Sequence, residues 1–165
     1  MNPRPKIQPP RKFLDRLFGA VAIVTVLYGI FLVLQSWSSL PATIPTHFNA
    51  KGDADGWGSK GMIWLLPSIA IIMVPMMLLL RKFPWLSNVP IKINEENAEF
   101  QYGLIVRLLS VLACAVSILF TVLVYDTISI AGGGTSLLGW MFLPIILFAT
   151  IAPIIWYFIA AFRGR

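Results

Sequence analysis

Gly61–Leu80 reads GMIWLLPSIAIIMVPMMLLL, twenty positions without one charged side chain. A helix needs roughly 20 apolar residues to cross about 30 Å of hydrocarbon, and this run supplies them. Working outward, three further runs meet the same test: Leu17–Ser36, Leu104–Val124 and Leu137–Ala161. Helices satisfy their backbone hydrogen bonds internally, as the bilayer demands. The expected fold class is therefore all-α: a polytopic membrane protein with four transmembrane helices in a bundle and an ordered outer loop after helix 1. The bulk numbers agree. Of 165 residues, 58% are hydrophobic and only 12% charged, with a mean hydropathy of +0.80. A soluble domain carries about 25% charged residues.

The net charge of +6 comes from thirteen basic residues scattered at the ends of the apolar runs. They read as topology signals, and no nucleic-acid partner is expected. Arg4, Lys6, Arg11, Lys12, Arg16, Arg81, Lys82, Lys92, Arg107, Arg163 and Arg165 fall on one side, against Lys51 and Lys60 on the other. That asymmetry predicts both termini in the cytoplasm. The segment 1–16 reads as a basic disordered cytoplasmic arm. The first apolar run is too long for a cleaved signal core, and Ser36-Trp37-Ser38 is a poor cleavage site. Cys114 has no second cysteine to pair with.

The polar loop before the opening run, PATIPTHFNAKGDADGWGSKG (Pro41–Gly61), holds the lone histidine, His47. Gly56-Trp57-Gly58-Ser59-Lys60-Gly61 fits G-x-G-x-x-G, but it leads into a span rather than a βαβ unit, so the dinucleotide fingerprint is accidental. Read as a calcium loop, Asp53-Ala54-Asp55-Gly56 would need Lys51 and Met62 as its first and twelfth ligands, which excludes an EF-hand. What remains is turn chemistry, with Phe48 and Trp57 at the level where aromatic rings favour the membrane surface. His47, Asp53 and Asp55 are candidate metal ligands at spacings that fit no defined site. A structured turn, or recognition of a peptide or partner, are the other readings; no cofactor is implied.

Within the spans, Arg107 near an edge is the one ionisable acid, base or histidine expected, whereas pumps and proton relays place such groups at mid-depth. No catalytic constellation is visible, and no enzyme is expected. Ser110, Cys114, Ser117 and Thr121 form a small-residue stripe suited to packing on a neighbouring helix. Pro67, Pro75, Pro144 and Pro153 are candidates for kinks. Before the third span, Asn94 is a suitable N-cap with Glu95 and Glu96 in the first turn. Glu96, Phe100, Gly103 and Arg107 then share a helical face, with Arg107 expected to snorkel toward the cytoplasmic surface. Glu95, Glu96, Glu99 and Tyr102 would offer a docking face.

Two blocks carry a resemblance. Pro45-Thr46-His47-Phe48-Asn49, Gly52 and Asp55-Gly56-Trp57-Gly58-Ser59-Lys60 resemble the signature P-x-H-[FW]-N-x-x-G-x-x-D-G-[WY]-G-[SN]-K of the family called domain of unknown function 1648. Asn94, Glu96, Asn97, Gln101, Tyr102 and Arg107 resemble its N-x-E-N-x-x-x-Q-Y-x-x-x-x-R stretch. With their spans the blocks cover roughly positions 17–124. The same module forms the N-terminal part of SdpI-type immunity proteins of bacteria. The resemblance implies a non-enzymatic protein of the bacterial cytoplasmic membrane that binds a peptide or protein partner. Some such proteins also hold a repressor at the membrane. SdpI-type proteins continue with a further multi-span module, whereas this sequence has one additional helix, so repressor capture is not carried over. Alternatives are an accessory subunit of a larger membrane complex, which would expose the stripe Ser110–Thr121, a small transporter, or a metal-dependent outer-face enzyme.

Overall fold

The computed structural model describes residues 4–164. Helix α1 spans Phe13–Ser36, α2 Leu65–Leu80, α3 Ala98–Ala131 and α4 Phe142–Arg163; strands β1 (Thr43–Phe48) and β2 (Ala54–Ser59) lie between α1 and α2. All four helices, with the short helical turns leading into α2 and α4, are long and apolar enough to cross a membrane. The protein is a multi-pass helical membrane protein with a small two-stranded sheet. Val24, Ile72 and Phe148 are 65%, 70% and 76% exposed, a degree of apolar exposure that suits lipid contact rather than water.

The helices begin where local hydrogen bonding allows. In α1 the Asp15 carboxylate accepts from the Lys12 N–H at 2.8 Å, covering an amide the helix would otherwise leave open. Helix α1 thus starts four residues before the expected span, and Phe13–Arg16, read as part of the arm, are its first turn. Residues 4–12 precede it without regular structure, yet they are held to the bundle. The Arg4 guanidinium donates to the Ser87 carbonyl at 2.6 Å, Gln8 to that of Lys82 at 3.0 Å, and the Tyr102 hydroxyl to that of Pro5 at 2.9 Å. The first three residues of the arm, and Arg165, lie outside the described residues.

Before α3, Asn94 and Asn97 exchange bonds. Each side-chain oxygen accepts from the other's N–H, at 2.9 and 3.0 Å. The Ala98 N–H donates to the Asn94 carbonyl, so Asn94 closes the turn ahead of the helix. The N-cap itself is Asn97, not Asn94 as expected, and Glu99, rather than Glu95 and Glu96, is the acid of the first turn. Pro67 and Pro144 sit in the first turns of α2 and α4, where a missing N–H costs nothing; Pro75 and Pro153 are interior.

Helix α3 is the axis of the bundle, packing on α1, α2 and α4, while α1 packs chiefly on α3. The small-residue stripe explains this. Ser110, Cys114, Ser117 and Thr121 are all buried. The Thr121 hydroxyl donates across the interface to the Thr25 carbonyl at 2.9 Å, and a Cβ at Gly29 would sit 2.9 Å from the Thr121 oxygen. Small groups let the backbones close to dispersion contact, the main attraction between helices in lipid. Ala22, Val74 and Ala113 continue that contact among α1, α2 and α3. The stripe is therefore consumed within the chain and is not a surface for a second subunit.

Candidate functional site

The polar loop after α1 is an antiparallel hairpin, where turn chemistry alone was expected. Thr43 pairs with Ser59, Ile44 with Gly58 and Pro45 with Trp57, and the register shifts on either side of His47. At the tip, the Asn49 side-chain oxygen accepts from the Lys51 and Asp53 amides at 2.8 and 3.1 Å, an Asx-turn. Gly52 has φ +80°, and a Cβ there would stand 2.3 Å from the Gly139 carbonyl oxygen. Only glycine permits both the angle and the approach. The tip thus rests on the α3–α4 connection, whose form is fixed by buried Asp126: its carboxylate accepts from the Ser136 hydroxyl at 2.6 Å and the Leu137 N–H at 2.7 Å.

His47 Nδ1–H donates to the Asp55 carboxylate at 2.5 Å across the strands, with both side chains well exposed. Gly56 lies opposite, where a Cβ would come within 2.9 Å of the His47 Cβ. Asp53 instead accepts from the Asn49 side-chain amide at 3.3 Å, so the three candidate metal ligands do not converge. Among the described residues no group of three or more His, Cys, Asp or Glu could hold a metal ion. Trp57 is exposed, Pro45 is buried, and the Lys60 ammonium sits 4.7 Å above the Trp37 ring.

Beneath the hairpin lies an open cavity of about 370 Å³. Pro45, His47 and Phe48 line it from β1, Met62, Ile63 and Leu66 from the entrance to α2, Val124 and Thr127 from α3, and Phe142 from α4. The Phe48 and Phe142 rings stand 6.2 Å apart. The hairpin thereby joins His47, Phe48 and, across the pair, Asp55 above a mostly apolar hollow. Asn49, Gly52, Gly56 and Gly58 shape the hairpin and Lys60 bonds back to the Ala42 carbonyl at 2.9 Å, leaving Trp57 on the exposed side.

The opposite end carries the second group of candidates. Tyr102 is fully buried with its hydroxyl on Pro5, so it offers nothing to a docking partner. Arg107 does not snorkel free; its Nε–H donates to Asp15, whose side chain is 4% exposed. Arg81 joins them, donating to the Asp15 carbonyl at 2.8 Å and the Ser110 hydroxyl at 2.9 Å. Burial lowers the Arg81 pKa, and nearby Arg11 adds to this while Asp15 opposes it. An arginine so placed still stays protonated near neutrality. Gly19 makes the room, since a Cβ there would lie 3.0 Å from the guanidinium nitrogens. Sequence reasoning missed Asp15 and Arg81 as partners. The available signal was the lone acid in a basic segment, one turn before a glycine. Glu95, Glu96 and Glu99 remain exposed.

A membrane bundle capped at one end by a hairpin with a His–Asp pair is the class these features define. Residues 20–71, from α1 through the hairpin into α2, match the family described as "Domain of unknown function (DUF1648)". The second block, around Asn94–Arg107, lies outside that matched range. An uncharacterized protein of Archaeoglobus fulgidus is 35% identical over 81 residues, covering 41% of this chain and 44% of that protein. The chain thus spans less than half the length of this relative. No solved structure matches.

Proposed function

We propose that the protein is a non-enzymatic receptor-like element of the bacterial cytoplasmic membrane, with both termini inside. Its outer hairpin would bind an apolar segment of a peptide or protein partner. The observation carrying this reading is the open cavity of about 370 Å³ under the hairpin. Its apolar walls suit an aromatic or aliphatic anchor, and the His47–Asp55 pair at its rim supplies polar contacts that fix orientation. The resemblance to the SdpI immunity module makes a secreted killing peptide the first ligand to test.

The test is protection of a sensitive host against such peptides, combined with photo-crosslinking. A photoreactive side chain at Met62 should capture the peptide, whereas one at lipid-facing Phe148 should not. His47→Ala and Trp57→Ala should each abolish protection at unchanged membrane abundance. Full protection by both variants would sink the hairpin reading. An accessory-subunit role is the second reading, and the exposed apolar side of α4 supports it: α4 leans mainly on α3 and leaves Phe148, Ile155 and Trp156 uncovered.

A further inference from the structure

At the end of the bundle that carries both termini, a second cavity of about 470 Å³ opens between the N-terminal arm, α3 and the last turns of α4. Its lining is unlike that under the hairpin, because it holds charges of both signs beside apolar side chains. Glu96 stands in the turn just before α3 and Glu99 in the helix's first turn, and Arg107 follows on the same helix. The rise of a helix puts Arg107 about 12 Å farther into the bundle than Glu99. Lys12 faces the cavity from the start of α1, and Phe100, Leu104 and Trp156 supply its apolar wall.

The bonding state of these groups matters more than their number. Among the described residues, the side chains of Lys12, Glu96 and Glu99 have no hydrogen bond or ion pair. Arg107 uses only Nε–H on Asp15, and its two terminal nitrogens have no acceptor among the described residues. A guanidinium has five N–H donors in a planar fork, and the free edge suits a phosphate. Asp15 holds that fork in place, being itself fixed by the Lys12 amide. The cavity therefore presents acceptors toward water, donors deeper, and an aromatic and aliphatic wall alongside.

We propose that this cavity holds the phosphoethanolamine headgroup of a membrane phospholipid. The order of charges along α3 is the order in such a lipid as it stands in a leaflet. The ammonium lies outermost and meets Glu96 and Glu99, and the phosphate lies below it and meets Lys12 and Arg107. The acyl chains run past Leu104 and Trp156 along exposed α4. An ammonium with three N–H groups satisfies two carboxylates, which a quaternary choline cannot do by hydrogen bonding. A glycerol headgroup leaves both carboxylates without a cation and brings a net negative charge toward them.

The experiment uses the full-length protein, delipidated in mild detergent. Native mass spectrometry then measures occupancy by dioleoyl phosphatidylethanolamine, phosphatidylcholine and phosphatidylglycerol offered at equal concentration. Phosphatidylethanolamine should bind about tenfold more tightly than the other two, the scale of one charge-assisted hydrogen bond. The double variant Glu96→Gln, Glu99→Gln should lose that preference while still binding phosphatidylglycerol. Both glutamates are exposed and bear no structural bond, so the variant should retain the wild-type thermal midpoint. Equal binding of all three lipids by the wild type, or an unchanged preference in the double variant, would overturn the assignment. Displacement of the lipid by an equal concentration of soluble O-phosphoethanolamine would also overturn it, in favour of a soluble ligand.

Discussion

A single residue, Asp15, ties three helices together at the end of the bundle that holds the termini. Its side chain takes Arg107 from α3, and its carbonyl takes Arg81 from the end of α2. Removing one member of a buried pair leaves the other charge without compensation, which costs more than losing both. Asp15→Ala should therefore destabilise the protein by about 3 kcal/mol. Asp15→Ala combined with Arg107→Met should recover part of that loss, as thermal unfolding in detergent would show. Equal losses in the two proteins would mean that Asp15 acts only through α1 capping. At the other end, Gly52→Ala places a methyl group against the Gly139 backbone at a φ that costs an L-residue roughly 1–2 kcal/mol. Proteolysis should then cut faster at Lys51, with the transmembrane helices intact. Gly52 was legible in the sequence as part of a turn. The Asp15–Arg107 pair was not, because no periodicity links positions so far apart, and a basic segment disguised the acid.

The elements differ in how openly the sequence announces them. Four apolar runs are visible because hydrocarbon enforces length and polarity together. Their ends shift by several residues because helices carry on into the boundary wherever side chains close the first turn, as Asp15 does in α1 and the Asn94–Asn97 pair does ahead of α3. The hairpin was hidden. ADGWGS carries an aspartate and two glycines around its one aromatic residue, and Pro45 interrupts the β-branched residues of TIPTHF, so neither shows an unbroken strand pattern. Here glycines are needed for the close crossing at His47 and Thr46. Asn94→Ala should lower the stability by about 1 kcal/mol in thermal unfolding, since it removes the acceptor of the Asn97 N–H at the start of α3. Helix α4 depends on its ends. Gln101 donates to the Ala161 and Gly164 carbonyls at 3.0 and 2.8 Å, while its oxygen is buried without a hydrogen-bond partner. Gln101→Met removes both bonds and that buried acceptor together. Hydrogen exchange should accelerate over residues 161–164 with little change elsewhere; unchanged exchange there would show that packing alone holds the helix end.

Across the whole molecule, the hairpin and the α3–α4 connection share one end, and the arm, Asn94 and the end of α4 share the other. In the orientation proposed above, from the charge asymmetry of the sequence, the second end faces the cytoplasm. In a Cys114→Ala background, Lys51→Cys in intact cells should react with a membrane-impermeant maleimide, and Ser87→Cys should react only after lysis. The reverse pattern would invert the topology. The dominance of the α1–α3 interface has a bearing on how the chain is made. A ribosome delivers α1 and α2 first, yet the helix that α1 fits best is still unsynthesised. Until α3 arrives, Asp15 must wait in the membrane boundary without Arg107, and the groove meant for Thr121 stands empty. The newborn protein therefore passes through a stage in which its first two segments are inserted but unmarried. A chain released after position 95 would be left at that stage, with the Asp15 carboxylate lacking Arg107.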